Sequence, residues 1–196
     1  MGDLKRVCVY CGSSSGARPD YAAAAEQFGT LLAQRGLGLV YGGGRIGLMG
    51  RLADAVLAAG GSVTGVIPHA LSARELAHQG VTELHVTRSM HERKALMSSL
   101  ADAFVALPGG IGTLEELFES WTWAQLGLHA KPCGWLDVDG YFTDLARFLD
   151  LATAQGFIGT ESRAMLITAR DGAELLDKLG RYRPPPVERW IDTSET

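Results

Sequence analysis

Three times in this chain a short apolar run ends in glycines and gives way to a segment of helical periodicity. Arg6 to Cys11 precedes Gly12-Ser13-Ser14-Ser15-Gly16, Gly38 to Tyr41 precedes Gly42-Gly43-Gly44-Arg45-Ile46-Gly47, and Ala103 to Leu107 precedes Pro108-Gly109-Gly110-Ile111-Gly112. A short apolar run bounded by turn residues is the pattern of a strand buried on both faces. Repeated with helices between, it calls for a parallel sheet, since parallel neighbours need a crossover. Ser62 to Ile67, Glu83 to Val86, Cys133 to Leu136 and Met165 to Thr168 read as further strands. Helices are expected at Asp20 to Arg35, from the second glycine turn to about Ala59, after Ser89, from about Thr113, at Tyr141 to Gln155 and at Gly172 to Leu179. The expected fold is α/β, a single doubly wound Rossmann-like domain with a mostly parallel sheet and helices on both faces. It spans residues 1–183, and Arg183-Pro184-Pro185-Pro186 opens a C-terminal tail at 184–196. In such sheets ligands bind beyond the carboxyl ends of the strands, so the three glycine turns should converge on one crevice.

At 196 residues with 46% apolar and 20% charged side chains, the chain can build one well-cored domain. A formal net charge of -4 argues against a general nucleic-acid surface, which needs clustered Lys and Arg. No apolar stretch is long enough to span a bilayer and no secretory leader is apparent, so a cytoplasmic protein with no membrane partner is expected. The five histidines show no ligand spacing, and no metal or cofactor is expected.

The third turn carries the chemistry. Its glycines let main-chain N–H groups approach an anion, and the helix that follows adds the positive end of its dipole, so a phosphate should sit there. Glu115 and Glu116 lie just inside that helix. A carboxylate beside a phosphate site points to chemistry on the molecule that carries the phosphate. Thr113, Glu116 and Ser120 share a stripe expected to face the ligand, which makes Glu116 the candidate acid. Ser89 is a candidate N-cap for the preceding helix, on which Met90, Arg93 and Met97 share one face. That helix leads directly into the strand ending at Pro108, so Arg93 can reach the same sheet edge.

Three other signals weigh less. Gly12-Ser13-Ser14-Ser15-Gly16 fits the G-x-S-x-G nucleophile elbow, but that elbow needs its helix immediately after the serine, and Arg18-Pro19-Asp20 intervenes. A loop facing phosphate or ribose, with Ser14 as a binding residue, is the better reading. Gly42, Gly44 and Gly47 fit G-x-G-x-x-G, yet dinucleotide binding wants that pattern after the first strand and an acid at the end of the next. Here the next strand ends in Pro68-His69. Cys8 and Cys11 have C-x-x-C spacing inside a strand, where residues three apart point to opposite faces, so buried reduced thiols are expected.

Pro108-Gly109-Gly110-Ile111-Gly112-Thr113-Leu114-Glu115-Glu116 fits P-G-G-x-G-T-x-x-E. With Met90-His91-Glu92-Arg93-Lys94 and Trp123-Ala124-Gln125-Leu126-Gly127, it resembles the LOG family of cytokinin riboside 5′-monophosphate phosphoribohydrolases, proteins long labelled lysine decarboxylases. The likeness runs from about Val7 to Ile158. It implies hydrolysis of the N-glycosidic bond of purine nucleoside 5′-monophosphates, AMP and N6-prenylated AMP, giving free base and ribose 5-phosphate. It also implies that Arg93 and Glu116 are catalytic. Nucleotide contacts fall on Glu75, Met90, Lys94, Gly109, Gly110, Ile111, Gly112, Thr113, Leu114 and Glu115. The family's members are usually homodimers with the site near the subunit interface, which would give Trp121 and Trp123 a role beyond core packing. Leu71-Ser72-Ala73-Arg74-Glu75 lacks the proline common before the Arg-Glu pair in plant members. Competing classes are a nucleotide-sensing or carrier module of the same fold, which binds AMP without releasing base, and a pyridoxal-phosphate decarboxylase, which needs a Schiff-base lysine.

Overall fold

A computed structural model describes residues 4–72 and 76–186. Seven parallel strands form one sheet: β1 (Arg6–Tyr10), β2 (Gly38–Tyr41), β3 (Val63–Pro68), β4 (Glu83–Thr87), β5 (Ala103–Ala106), β6 (Cys133–Leu136) and β7 (Leu166–Ala169). Their spatial order is β4-β3-β2-β1-β5-β6-β7. The chain therefore winds outward from β1 to β4, then returns to place β5 on the other side of β1. The switch in winding direction falls between β1 and β5, where crossovers diverge to opposite faces and leave a crevice at the carboxyl ends. The doubly wound α/β fold read from the sequence is the one observed.

Strand composition follows position. β2, β3, β5 and β6 are buried at every residue, which is why they read as unbroken apolar runs, whereas β4 at the edge is exposed or half-buried except at Thr87. Along β1, Val7 and Val9 face one layer and Cys8 and Tyr10 the other. The first layer is formed by α1 (Pro19–Gln34), α2 (Gly47–Ala58) and α8 (Gly172–Arg181), with Phe28, Leu52 and Leu175 at its centre. The second holds α4 (Met90–Leu100), α5 (Ile111–Gln125) and α6 (Thr143–Ala154), packed through Met97, Leu117, Trp135 and Leu149.

The three cysteines are free and buried, with Cys8 and Cys11 on opposite faces of the sheet, as expected for residues three apart in a strand. Burial pushes all three thiols up, Cys133 to about 12, so they are inert as nucleophiles at neutral pH. Trp121 is core of its own chain: it is 6% exposed and its indole donates to the Ser162 carbonyl at 2.8 Å. Trp123 is half-buried.

Two short helices, α3 (His69–Ser72) and α7 (Thr160–Ala164), have no counterpart in the sequence reading, because neither is long enough to show a period. Helix α6 begins at Thr143 rather than Tyr141 because buried Asp137 holds the chain in a turn, accepting from Phe142 N at 2.7 Å and Thr143 Oγ1 at 3.0 Å. Among the described residues no helix is long and apolar enough to cross a membrane. The proposed tail at 184–196 falls largely outside the described residues; α8 closes at Arg181 and residues 182–186 are irregular.

Candidate active site

The three glycine turns follow β1, β2 and β5, neighbours at the centre of the sheet, and so meet at the switch point. Gly12 N donates to the Pro108 carbonyl at 3.1 Å and Leu48 N to the Gly12 carbonyl at 3.0 Å, which stitches the turns together. Ser13 to Gly16, Tyr21, Leu48, Pro108, Gly109, Gly110 and Tyr141 enclose a cavity of about 270 Å³. Ser14 stands at its lip, exposed, with its hydroxyl accepting from Gly16 N at 3.3 Å, and α1 starts only at Pro19. With the helix delayed to Pro19, the geometry is not that of a nucleophile elbow.

Helix α5 opens directly from the third turn. Its N-cap is Gly110, which has no side chain to cap the first N–H groups, so these remain available at the positive end of the dipole. A Cβ built on Gly110 or Gly112 would meet nothing within 4 Å, and neither glycine has a positive φ. Protein packing therefore does not demand glycine at either position; the space beside both is open. Gly109 is different, because a Cβ there would overlap Thr113 Oγ1, and Thr113 is 4% exposed beneath the turn. Ile111 projects from the first turn at 88% exposure and Leu114 is half-buried behind it, with Leu114 N donating to the Gly110 carbonyl at 3.2 Å.

About one and a half turns further along α5 lies Glu116. Its Oε1 accepts from Arg93 Nη1 at 2.9 Å, with the two side chains only 14% and 9% exposed. Arg93 Nε donates to the Val66 carbonyl at 3.0 Å, which fixes the guanidinium against the end of β3. Helix α4 delivers Arg93 there because Ser89 caps it: the Ser89 hydroxyl accepts from Glu92 N at 3.1 Å, while Glu92 Oε2 reaches back to Arg88 N at 2.9 Å. Met97 on the same face is buried and Met90, the first residue of α4, is 44% exposed. Burial raises the pKa of Glu116, and the Arg93 guanidinium opposes that rise. Sequence spacing places Arg93 near the turn; its pairing with Glu116 depends on a strand carbonyl that no local pattern reveals.

The stripe Thr113, Glu116, Ser120, expected to face the ligand, instead runs inward, with Thr113 and Ser120 buried. Ser120 Oγ donates to the Glu116 carbonyl at 3.0 Å and takes the Tyr10 hydroxyl at 2.9 Å, so the helix is pinned to the end of β1 beneath the acid. Glu115 points the other way, is exposed and pairs with Lys94, whose ammonium also meets Glu119 at 3.2 Å. Burial pulls the Lys94 pKa down, but the two carboxylates more than offset it and hold the group charged. Lys5 and Lys131 precede β1 and β6 and so lie at the opposite end of the sheet, and Lys178 on α8 reaches the Thr168 carbonyl and Glu174. Among the described residues no lysine is placed as a free amine in the crevice.

The second glycine turn serves Arg93. A Cβ on Gly42 would overlap Arg93 Nη2, and that guanidinium cannot swing away without giving up both Val66 and Glu116. The turn is also covered from outside, where Arg45 N donates to the Leu76 carbonyl and His78 N to the Gly43 carbonyl, each at 2.9 Å. Glu75, the remaining candidate contact, lies outside the described residues, as does Arg74 beside it.

Fold and site together define a doubly wound α/β nucleotide-binding protein that carries a buried carboxylate paired with arginine beside its glycine turn. The profile of the family described as "Possible lysine decarboxylase" matches residues 49–179. The cytokinin riboside 5′-monophosphate phosphoribohydrolase LOG7 of Arabidopsis thaliana is 51% identical over 181 residues, 92% of this chain and 83% of the relative. LOG of Oryza sativa subsp. japonica, of the same description, is 51% identical over 181 residues, 92% of this chain and 75% of that one. The chain belongs to this family, the LOG phosphoribohydrolases. A solved structure of the molybdenum cofactor carrier protein of Chlamydomonas reinhardtii shares the fold, with a TM-score of 0.67 at 21% identity over 89% of this chain and 94% of the other.

Proposed function

We propose that this enzyme hydrolyses the N-glycosidic bond of purine nucleoside 5′-monophosphates, AMP or its N6-prenylated form, with Glu116 and Arg93 as the catalytic pair. The reading agrees with the names of relatives identical at about half their positions, and a non-catalytic carrier role is not favoured. The observation that carries the assignment is the Arg93–Glu116 pair, shielded from solvent beside a turn with room for a phosphate. The 5′-phosphate sits on the Gly109 to Thr113 turn and the ribose extends along the first turns of α5 toward Glu116. As the bond from C1′ to the base nitrogen breaks, positive charge develops on the sugar, and an ionised carboxylate beside it lowers that barrier. Water supplies the oxygen that bonds to C1′, Glu116 orients it and takes its proton, and the departing base gains one. Arg93 holds the Glu116 carboxylate and directs its remaining N–H groups at the ribose or phosphate. Ser14, Met90, Lys94, Leu114 and Glu115 complete the nucleotide contacts, with Glu115 and Lys94 acting as a linked pair at the rim.

The same reading makes the protein a cytoplasmic homodimer whose crevice lies close to the subunit interface. Exposed Ile111, at 88% and next to the glycine turn, and Met90, at 44%, support this, since a partner would cover both apolar side chains. Replacing Glu116 by Gln keeps shape while removing charge. AMP should still bind, and adenine release should fall by at least about 10²-fold. Near wild-type turnover by that variant would overturn the assignment.

A further inference from the structure

The loop after β6 holds a residue that the proposed mechanism does not use. Tyr141 lines the cavity, and its hydroxyl donates to the Gly109 carbonyl at 2.6 Å. We infer that Tyr141 is a positioning residue for the phosphate turn, a role that rests on the placement of the 5′-phosphate proposed above. In a trans peptide the carbonyl and the following N–H point to opposite sides. Anchoring the Gly109 carbonyl on the Tyr141 side therefore aims the Gly110 N–H toward the other, into the space that the two glycines leave clear. A turn of three glycines within four residues has the freedom to rotate that peptide. Without an anchor it would spend part of its time with a carbonyl oxygen facing the phosphate.

The rest of the loop is built to hold that hydroxyl in place. Asp139 is the only non-glycine with positive φ among the described residues, at 48°, and Gly140 follows at 79°. Two successive left-handed residues make the tight reversal that carries Tyr141 back over the cavity. Buried Asp137 ties down the chain on the far side of it through Phe142 N and Thr143 Oγ1. The Tyr141 ring packs edge-on against Tyr21 at 5.4 Å and against Phe142 at 5.0 Å, and Arg18 bridges the two loops by an ion pair to Asp139 at 2.5 Å while lying over Tyr21. Because β6 is the neighbour of β5, this loop has only one strand spacing to cross.

Replacing Tyr141 by Phe deletes one oxygen and keeps the ring packing. Calorimetric titration of the full chain with ribose 5-phosphate, inorganic phosphate and adenosine separates the roles. The variant should bind ribose 5-phosphate and phosphate about tenfold more weakly, the scale of one hydrogen bond, and adenosine as tightly as the wild type. Its loss with AMP should appear in KM more than in kcat. Unchanged affinity for ribose 5-phosphate would overturn the inference, and so would an equal loss for adenosine, which would mark general damage to the crevice. The titration needs no turnover, so a wild-type protein that binds AMP but frees no adenine would defeat the proposed function alone.

Discussion

The turns at Gly42 to Gly47 and at Gly109 to Gly112 look alike as sequence, each glycine-rich and each leading from a strand into a helix, yet they use glycine for opposite ends. At Gly42 the missing side chain is filled by the protein itself, the Arg93 guanidinium. At Gly110 and Gly112 it is filled by nothing. One turn makes room for the Arg93 side chain and the other leaves open the space in which the proposed function places the phosphate. The motif G-x-G-x-x-G covers the turn at Gly42 to Gly47 and would assign it a dinucleotide, whereas the contact made by a hypothetical Cβ assigns it an arginine. A glycine's function here is read from what occupies the place of its side chain.

The comparison breaks most severely at the pair both turns serve. The loss of at least about 10²-fold expected for Glu116→Gln sets the ceiling for anything acting through that acid. Gly42→Ala comes next. With no change to any group that touches the nucleotide, the added methyl displaces the guanidinium from Val66 and Glu116, so kcat/KM for AMP should fall by roughly 10- to 10²-fold through misplacement alone. Overpacking should also lower stability by about 1–3 kcal/mol, measurable by urea denaturation. If Gly42→Ala is as active as wild type, the second turn is not shaped for Arg93.

A smaller effect follows from the charge balance at Glu116. Burial raises its pKa and Arg93 opposes the rise, so the acid limb of the kcat/KM profile should lie above the value of about 4.3 for a free glutamate. Activity is lost as pH drops through it. Arg93→Gln removes the opposing charge and should move the limb further up, together with a loss of rate. A limb that moves down would show that another group titrates there. The effect on stability has the opposite sense to activity. The folded state binds the Glu116 proton more tightly than the unfolded chain, so this contribution is present at acid pH and is lost as pH rises through the folded value.

The sheet was legible because buried parallel strands must be unbroken apolar runs, and β2 and β6 carry the boundaries expected of them. Legible too were the Ser89 cap, the opposed faces of Cys8 and Cys11, and the meeting of three turns at the centre of the sheet, since each follows from local spacing or from the winding of the sheet. Only the first and third turns line the cavity, the second being taken up by Arg93. What escaped was tertiary. The Val66 carbonyl that fixes Arg93, the Tyr10–Ser120 bond beneath α5 and the Tyr141 anchor on Gly109 join residues from 27 to 110 positions apart. The inward course of the Thr113–Ser120 stripe was hidden for the same reason: period places residues on one face of a helix without saying what that face meets. Asp139-Gly140 does carry a turn signal, and it marks the position after which Tyr141 is displayed.

The subtlest difference between the two turns is energetic, and Gly112 isolates it. At the second residue of α5, with ordinary helical backbone and empty space around it, glycine costs helix stability and gains nothing from packing. Gly112→Ala should therefore stabilise the protein, by about 0.5 kcal/mol, or roughly 1–2 °C in Tm for a chain of this size. If the space belongs to the nucleotide, the same methyl should raise the KM for AMP by about tenfold while leaving the Arg93–Glu116 pair untouched. Gly42→Ala destabilises and lowers kcat, whereas Gly112→Ala stabilises and weakens binding, so thermal melts and steady-state kinetics on the two variants test the distinction directly. A Gly112→Ala protein that is more stable and binds AMP as tightly as before would mean that the cleared space is not where the phosphate lies.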